Sequence, residues 1–196
     1  MKTQQQRDTL DLPTAYHRHL TVDFKQDRKY FVTLQAIFLA VVLTAVALAL
    51  VFDLPLATGW PPVVTIPVTL LSLLVYMAAH EATHGLTLRL LTGTTPSYAV
   101  RFPFLTTSSP LHLTRRSTIT TALSPSIIWG TVFFVALFLV PADARLPVYI
   151  LLTVNFAGSA GDYLEAALAL RQPREALFQD EGDRVDVFLP TAQEPR

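Results

Sequence analysis

A chain of 196 residues, 51% hydrophobic and only 15% charged, has a mean hydropathy of +0.40. Its apolar residues gather in long uncharged blocks, which excludes an ordinary soluble core and points to an integral membrane protein. A net charge of +0 and the lack of any DNA- or RNA-binding motif speak against a nucleic-acid partner, and with no cysteine there can be no disulfide and no thiolate metal site. Residues 1–30 are polar and read as a cytosolic segment. The histidines of its "YHRHL", His17 and His19, stand two apart and share no helical face, so they read as solvated side chains.

Four blocks are long enough to cross a bilayer. The first, 31–52, has no charged residue and is too long for a signal-peptide core, so it reads as a retained span. The second, 62–79, is equally clean and runs on into "HEATHGLTLRL"; Trp60 just before it suits an interfacial anchor. The third, 118–140, contains Pro125, a kink or helix start, and Trp129, which falls mid-span as a packing residue. The fourth runs from 146 to about 170 and is interrupted by Gly158, Ser159, Ala160 and Gly161. Fourteen of the fifteen lysines and arginines lie on one side if both termini are cytosolic, as the positive-inside rule requires. The expected fold is therefore an all-α integral membrane protein with four transmembrane helices. Residues 31–171 would be embedded, 172–196 would form a cytosolic tail, and a prokaryotic plasma membrane is the expected setting.

Between the second and third spans, Tyr98, Val100, Phe102 and Phe104 alternate with smaller or polar neighbours ahead of a Thr-Thr-Ser-Ser-Pro cluster. That period of two predicts a short hairpin or re-entrant segment, with Pro103 favouring an edge. Such a hairpin could offer an unwound substrate a strand to pair with, or merely cover the interface. His112, alone in this loop, reads as solvated. In the tail, Val185, Val187 and Leu189 alternate after an Asp-Glu-Gly-Asp turn, which predicts a strand or cap folding back under the membrane.

The chemistry sits where span two ends. His80-Glu81-Ala82-Thr83-His84 is HExxH; residues at i and i+4 of a helix share a face, so both imidazoles can grip one metal ion. Glu81 projects about 100° round from His80, beside the metal, where it can accept a proton from water. Two imidazoles suit zinc, which in catalytic sites takes three protein ligands. Counting from the outer ends of their helices, His80 lies roughly 27 Å and Asp162 roughly 24 Å along, near the inner edge of a core about 30 Å thick. Asp162 is therefore the candidate third ligand, with Glu165 one turn further on as its rival. Asn155, Ser159 and Asp162 share one helical face, and Gly158 and Gly161 allow close helix packing.

These residues carry a resemblance. HEATHG followed downstream by N-x-x-G-S-x-G-D resembles the putative zincin peptidase family of small bacterial and archaeal membrane proteins. More distantly the layout is similar to site-2 intramembrane metalloproteases, although their N-x-x-P-x-x-x-L-D-G pattern is absent here. The resemblance implies a Zn2+ site made by His80, His84 and Asp162, with Glu81 as catalytic base and Asn155 helping to position substrate or oxyanion. The expected function is a zinc-dependent membrane-embedded peptidase whose partners are the lipid bilayer and a membrane-protein or peptide substrate. A catalytically silent protein using the same site for structural or regulatory metal, or to bind clients, is the alternative. A metal transporter would need a continuous polar path, which the uncharged spans do not offer.

Overall fold

The computed structural model describes residues 8–24, 26–95, 97–101, 104–108, 110–182 and 184–191. Helix α1, Arg28–Val51, starts where the Asp27 carboxylate accepts the Lys29 amide at 2.9 Å, satisfying one of the orphan donors of its first turn. Helix α2, Pro62–Thr92, opens on a proline at its first position and ends at Gly93 in the left-handed conformation, φ 73°. At 1.5 Å per residue it is about 46 Å long, so its last turns, beyond the HExxH motif, extend past a core about 30 Å thick. Helix α3, Arg115–Leu139, is capped by Thr114; Asp8 reinforces that cap, accepting the Thr114 amide at 2.6 Å and the Ser117 hydroxyl at 2.8 Å. The anion sits at the positive end of the helix.

Helices α1, α2 and α3 are each long and apolar enough to cross a membrane. Their outward faces suit lipid: Leu39, Leu43, Leu50, Leu70, Leu74 and Phe138 are each more than half exposed. Inside the bundle, Tyr76, Phe133 and Leu151 pack with Trp129, and the Trp129 indole donates to the Thr83 hydroxyl at 3.0 Å, the packing role expected of it. The expected fourth span is two shorter helices, α4 (Arg145–Gly158) and α5 (Ala160–Arg171), broken at Ser159 within the run of small residues. At the end away from the motif, the Thr58 hydroxyl and Gly59 amide donate to the Asp143 carbonyl and carboxylate at 3.0 and 2.6 Å. These bonds tie the α1–α2 connection to the α3–α4 connection.

The all-α expectation requires correction, because the helices share the fold with two antiparallel sheets. Strands β1 (Tyr16–Asp23), β4 (Leu113–Thr114), β5 (Leu177–Asp180) and β6 (Arg184–Pro190) form one sheet in the order β1-β6-β5-β4. Val22, Phe24, Phe178, Val185 and Val187 from this sheet bury against Leu168 and Ala169 of α5. The segment before α1 is thus a strand. Its inward residues are few and set among exposed His17, Arg18 and His19, and its partner β6 comes more than 160 residues later, so local alternation alone is too weak a signal. The second sheet is the expected hairpin: β2 (Ser97–Arg101) pairs with β3 (Phe104–Ser108), and β3 lies along α2. Phe102 and Pro103 lie outside the described residues. His112 is also corrected. It is buried against the edge of the Phe188 ring, centroids 5.0 Å apart, and its backbone bridges Thr9.

Candidate metal centre

One face of α2 carries Tyr76, His80 and His84 at successive i, i+4 spacings, and the first turn of α5 carries Asp162. The fold brings three of these side chains to a point. His80 Nε2 and His84 Nε2 are 3.2 Å apart. Asp162 approaches them with Oδ2 at 3.3 Å from His80 Nε2 and Oδ1 at 3.4 Å from His84 Nε2. Their side chains are only 12%, 13% and 19% exposed, so the meeting point is shielded by helices. Among the described residues these three form a group able to hold a metal ion. Glu165, the rival ligand, stands outside that group.

The hydrogen bonds behind the rings decide which nitrogens carry protons. His84 Nδ1 faces the Thr121 carbonyl at 2.9 Å, and a carbonyl only accepts, so Nδ1 holds a proton and, in the neutral ring, Nε2 a lone pair. That carbonyl is available because residue 125 is a proline. Thr121 would ordinarily receive the amide of residue 125, and Pro125 has none. The Ser124 hydroxyl fills the other lone pair at 3.0 Å and itself accepts from Thr87 at 2.9 Å. His80 is fixed through a longer chain. Asn155 Nδ2 donates to the Ser126 carbonyl at 3.0 Å, so its Oδ1 must accept, and Tyr76 donates to it at 2.9 Å. The Tyr76 oxygen is then the acceptor for His80 Nδ1–H at 3.0 Å. In the neutral rings both Nε2 atoms therefore present lone pairs to each other and to a carboxylate, of which Oδ2 is buried without a hydrogen-bond donor.

Three acceptors turned on one point are satisfied by a cation shared between them. Ligand atoms about 2.0–2.1 Å from a tetrahedral zinc lie about 3.3–3.4 Å from one another; the two imidazole nitrogens here are 3.2 Å apart, and each meets a different oxygen of the Asp162 carboxylate, at 3.3 and 3.4 Å. The donor set, two imidazoles and a carboxylate, suits the same metal. The residues present fit zinc in number and kind, and their ligand atoms lie within reach of one ion.

Glu81 borders cavities on two sides of this point. One, about 150 Å3, is lined by Glu81, His84, Asp162, Glu165 and Asp180 with apolar walls from Leu88 and Leu111. The other, about 260 Å3, is bounded by Phe38 of α1, Tyr76, Met77, His80 and Glu81 of α2, and Val154 and Gly158 of α4. Asn155 is fully buried and borders neither cavity. Two contributors have no place in the sequence reading: Tyr76, whose signal was its position one turn before His80, and Asp180, which reaches the polar cavity only because β5 folds back beneath α5.

Burial pushes the Asp180 carboxyl up to about 6, against the pull of the Gly182 amide that donates to it at 2.7 Å; the neighbouring charges of Asp162 and Glu81 push the same way as burial, and His84 opposes them. Between the unfolded value of about 3.9 and the folded value the native state binds the extra proton, so this group's contribution to stability falls as pH rises through that window and stays low above it. Asp180→Asn keeps the Gly182 bond without the charge. In chelator-treated protein it is expected to raise stability by roughly 2 kcal/mol at pH 8 and by little at pH 4, measured by thermal unfolding at the two pH values.

A family model described as putative zincin peptidase matches residues 73–177, a stretch that runs from the middle of α2 to the start of β5 and contains His80, Glu81, His84 and Asp162. No curated protein and no solved structure matches the chain.

Proposed function

The chain belongs to the putative zincin peptidase family, and from that premise we propose that it is a zinc-dependent, membrane-embedded metalloendopeptidase. His80, His84 and Asp162 are its metal ligands and Glu81 its catalytic base. The observation that carries this reading is the cluster of two imidazoles and a carboxylate within reach of one ion, beside Glu81. Zinc held there would supply a Lewis acid and a water ionised near neutral pH. Glu81, at the junction of the polar and apolar cavities, accepts the proton of the attacking water from one side and hands it to the leaving amine on the other. The apolar cavity between α1, α2 and α4 receives an unwound stretch of substrate, since a helical segment has its amides already paired. The β2–β3 hairpin along α2 offers that stretch main-chain groups to pair with.

We place the protein in a prokaryotic plasma membrane with both termini cytosolic. The sheet supports an even number of crossings: β1 precedes α1, β6 follows α5, and the two pair directly, so the strands that flank the helices lie on one side. Three long helices alone would separate them, which supports counting α4 and α5 together as a fourth crossing. The distribution of lysine and arginine supports the cytosol as that side.

The test is elemental analysis of the detergent-purified protein. About one zinc per chain is expected, and close to none in His80→Ala. Cleavage of a reconstituted membrane-protein or peptide substrate should stop on chelation and return with zinc. A folded, zinc-treated chain holding no divalent ion would overturn the proposal; full zinc occupancy with no cleavage of any substrate would favour the catalytically silent alternative.

A further inference from the structure

Among the described residues, the hydrogen bonds at both imidazole Nδ1 atoms lead to the α3 backbone on either side of Pro125: His84 reaches the Thr121 carbonyl directly, and His80 reaches the Ser126 carbonyl through two intervening side chains. We propose that Tyr76 and Asn155 are positioning residues. They form a relay that holds His80 in the tautomer able to bind metal and sets how tightly the centre binds it. The inference rests on the reading of His80 as a ligand, and it moves Asn155 from contact with substrate to support of that ligand.

Direction and burial carry it. The Ser126 carbonyl can only accept, so each bond in the relay has one possible sense, and the sense ends with a proton on His80 Nδ1. A ligand histidine whose far nitrogen donates a hydrogen bond is fixed in orientation and made more basic at the coordinating nitrogen. Asn155 is 0% and Tyr76 6% exposed, so neither meets substrate in either cavity through a free polar group; both polar ends of Asn155 are already used. Local sequence is shaped to this bond. Gly130 lies on α3 one turn after Ser126, and a Cβ there would stand 3.1 Å from Asn155 Nδ2 and 2.8 Å from the Phe156 ring. The missing side chain is what lets α4 come close enough for Asn155 to reach the Ser126 carbonyl.

The test is a zinc competition titration on the full-length detergent-purified protein, with 15N spectra of its imidazoles recorded without metal at alkaline pH. Tyr76→Phe keeps the ring that packs on Trp129 and Phe133 and removes only the hydroxyl. It is expected to weaken zinc binding about 10–100-fold with stoichiometry unchanged, and to convert His80 from a single Nδ1–H tautomer to a mixture. Asn155→Leu is expected to weaken zinc binding as well, yet to add less than about 3-fold in the Tyr76→Phe background, because the relay is already cut. A merely structural Asn155 would lower thermal stability without moving zinc affinity or the His80 tautomer. Unchanged zinc affinity in Asn155→Leu with a lowered kcat would overturn the relay and return Asn155 to the substrate or oxyanion. The tautomer is read without metal, so a wild type that binds no zinc but shows a single Nδ1–H tautomer overturns the peptidase reading alone, and a mixed wild-type tautomer overturns the relay alone.

Discussion

Glu81→Gln is expected to reduce peptide hydrolysis by about 10²–10⁴-fold, the range that loss of a general base costs, while zinc content stays near one per chain. The two halves of that result have separate causes. Glu81 follows His80 directly, so its side chain leaves the helix about 100° away from the ligand face, and it is not one of the three groups whose atoms converge. Glutamine matches glutamate in shape, so the walls of both cavities that Glu81 borders are left in place. What the substitution removes is a group able to take a proton at neutral pH. Substrate affinity is expected to hold, so the loss should fall on kcat and leave KM nearly unchanged. Elemental analysis and steady-state kinetics on the same preparation read both halves. Loss of metal together with activity would make Glu81 a ligand, and retained activity would remove it from the chemistry.

How far the centre could be read beforehand depends on the range of the interaction concerned. His80, His84 and Glu81 lie within one turn and a half of one helix, so their relation follows from helical period alone. Asp162 is almost eighty residues away, and it became legible because a bilayer imposes a common depth scale on helices that run the same way; the 3.3 and 3.4 Å contacts agree with that matching of depth. Pro125 could be recognised as a break in hydrogen bonding. Its consequence, a free carbonyl facing His84, depends on how α2 and α3 pack, and no pattern within α3 encodes that. Asn155 was visible as a polar residue on the Asp162 face, but its partners lie on α2 and α3, so a substrate contact and a buried relay look alike in the sequence. The sheet is the clearest loss. A strand before α1 can be stable only when β6 covers it, and a pairing between residues such as Val22 and Val185 leaves no local trace stronger than a few alternating apolar side chains.

Asp162→Asn is expected to abolish the stabilisation that zinc confers. A ligand that binds only the folded state adds RT ln(1 + [L]/Kd), about 4 kcal/mol at a thousandfold excess over Kd, and the wild type should show this as a clear rise in Tm on adding zinc. Asparagine keeps the shape of the aspartate but supplies neither its charge nor a second anionic oxygen, and its amide nitrogen can donate to an imidazole lone pair that the metal would otherwise use. Zinc affinity should fall by more than the roughly 10–100-fold expected for residues that act from behind a ligand, and the zinc-dependent rise in Tm should disappear. Glu165→Gln is the matched comparison. Glu165 sits one turn along α5 and lines the same polar cavity, so it shares the local charge and burial of Asp162 but not its contacts with the two rings. If the ligand set is drawn correctly, Glu165→Gln keeps the zinc-dependent rise. The reverse outcome, with Asp162→Asn still stabilised and Glu165→Gln not, would give the third coordination position to Glu165 and require α5 to turn by most of a helical step when metal binds.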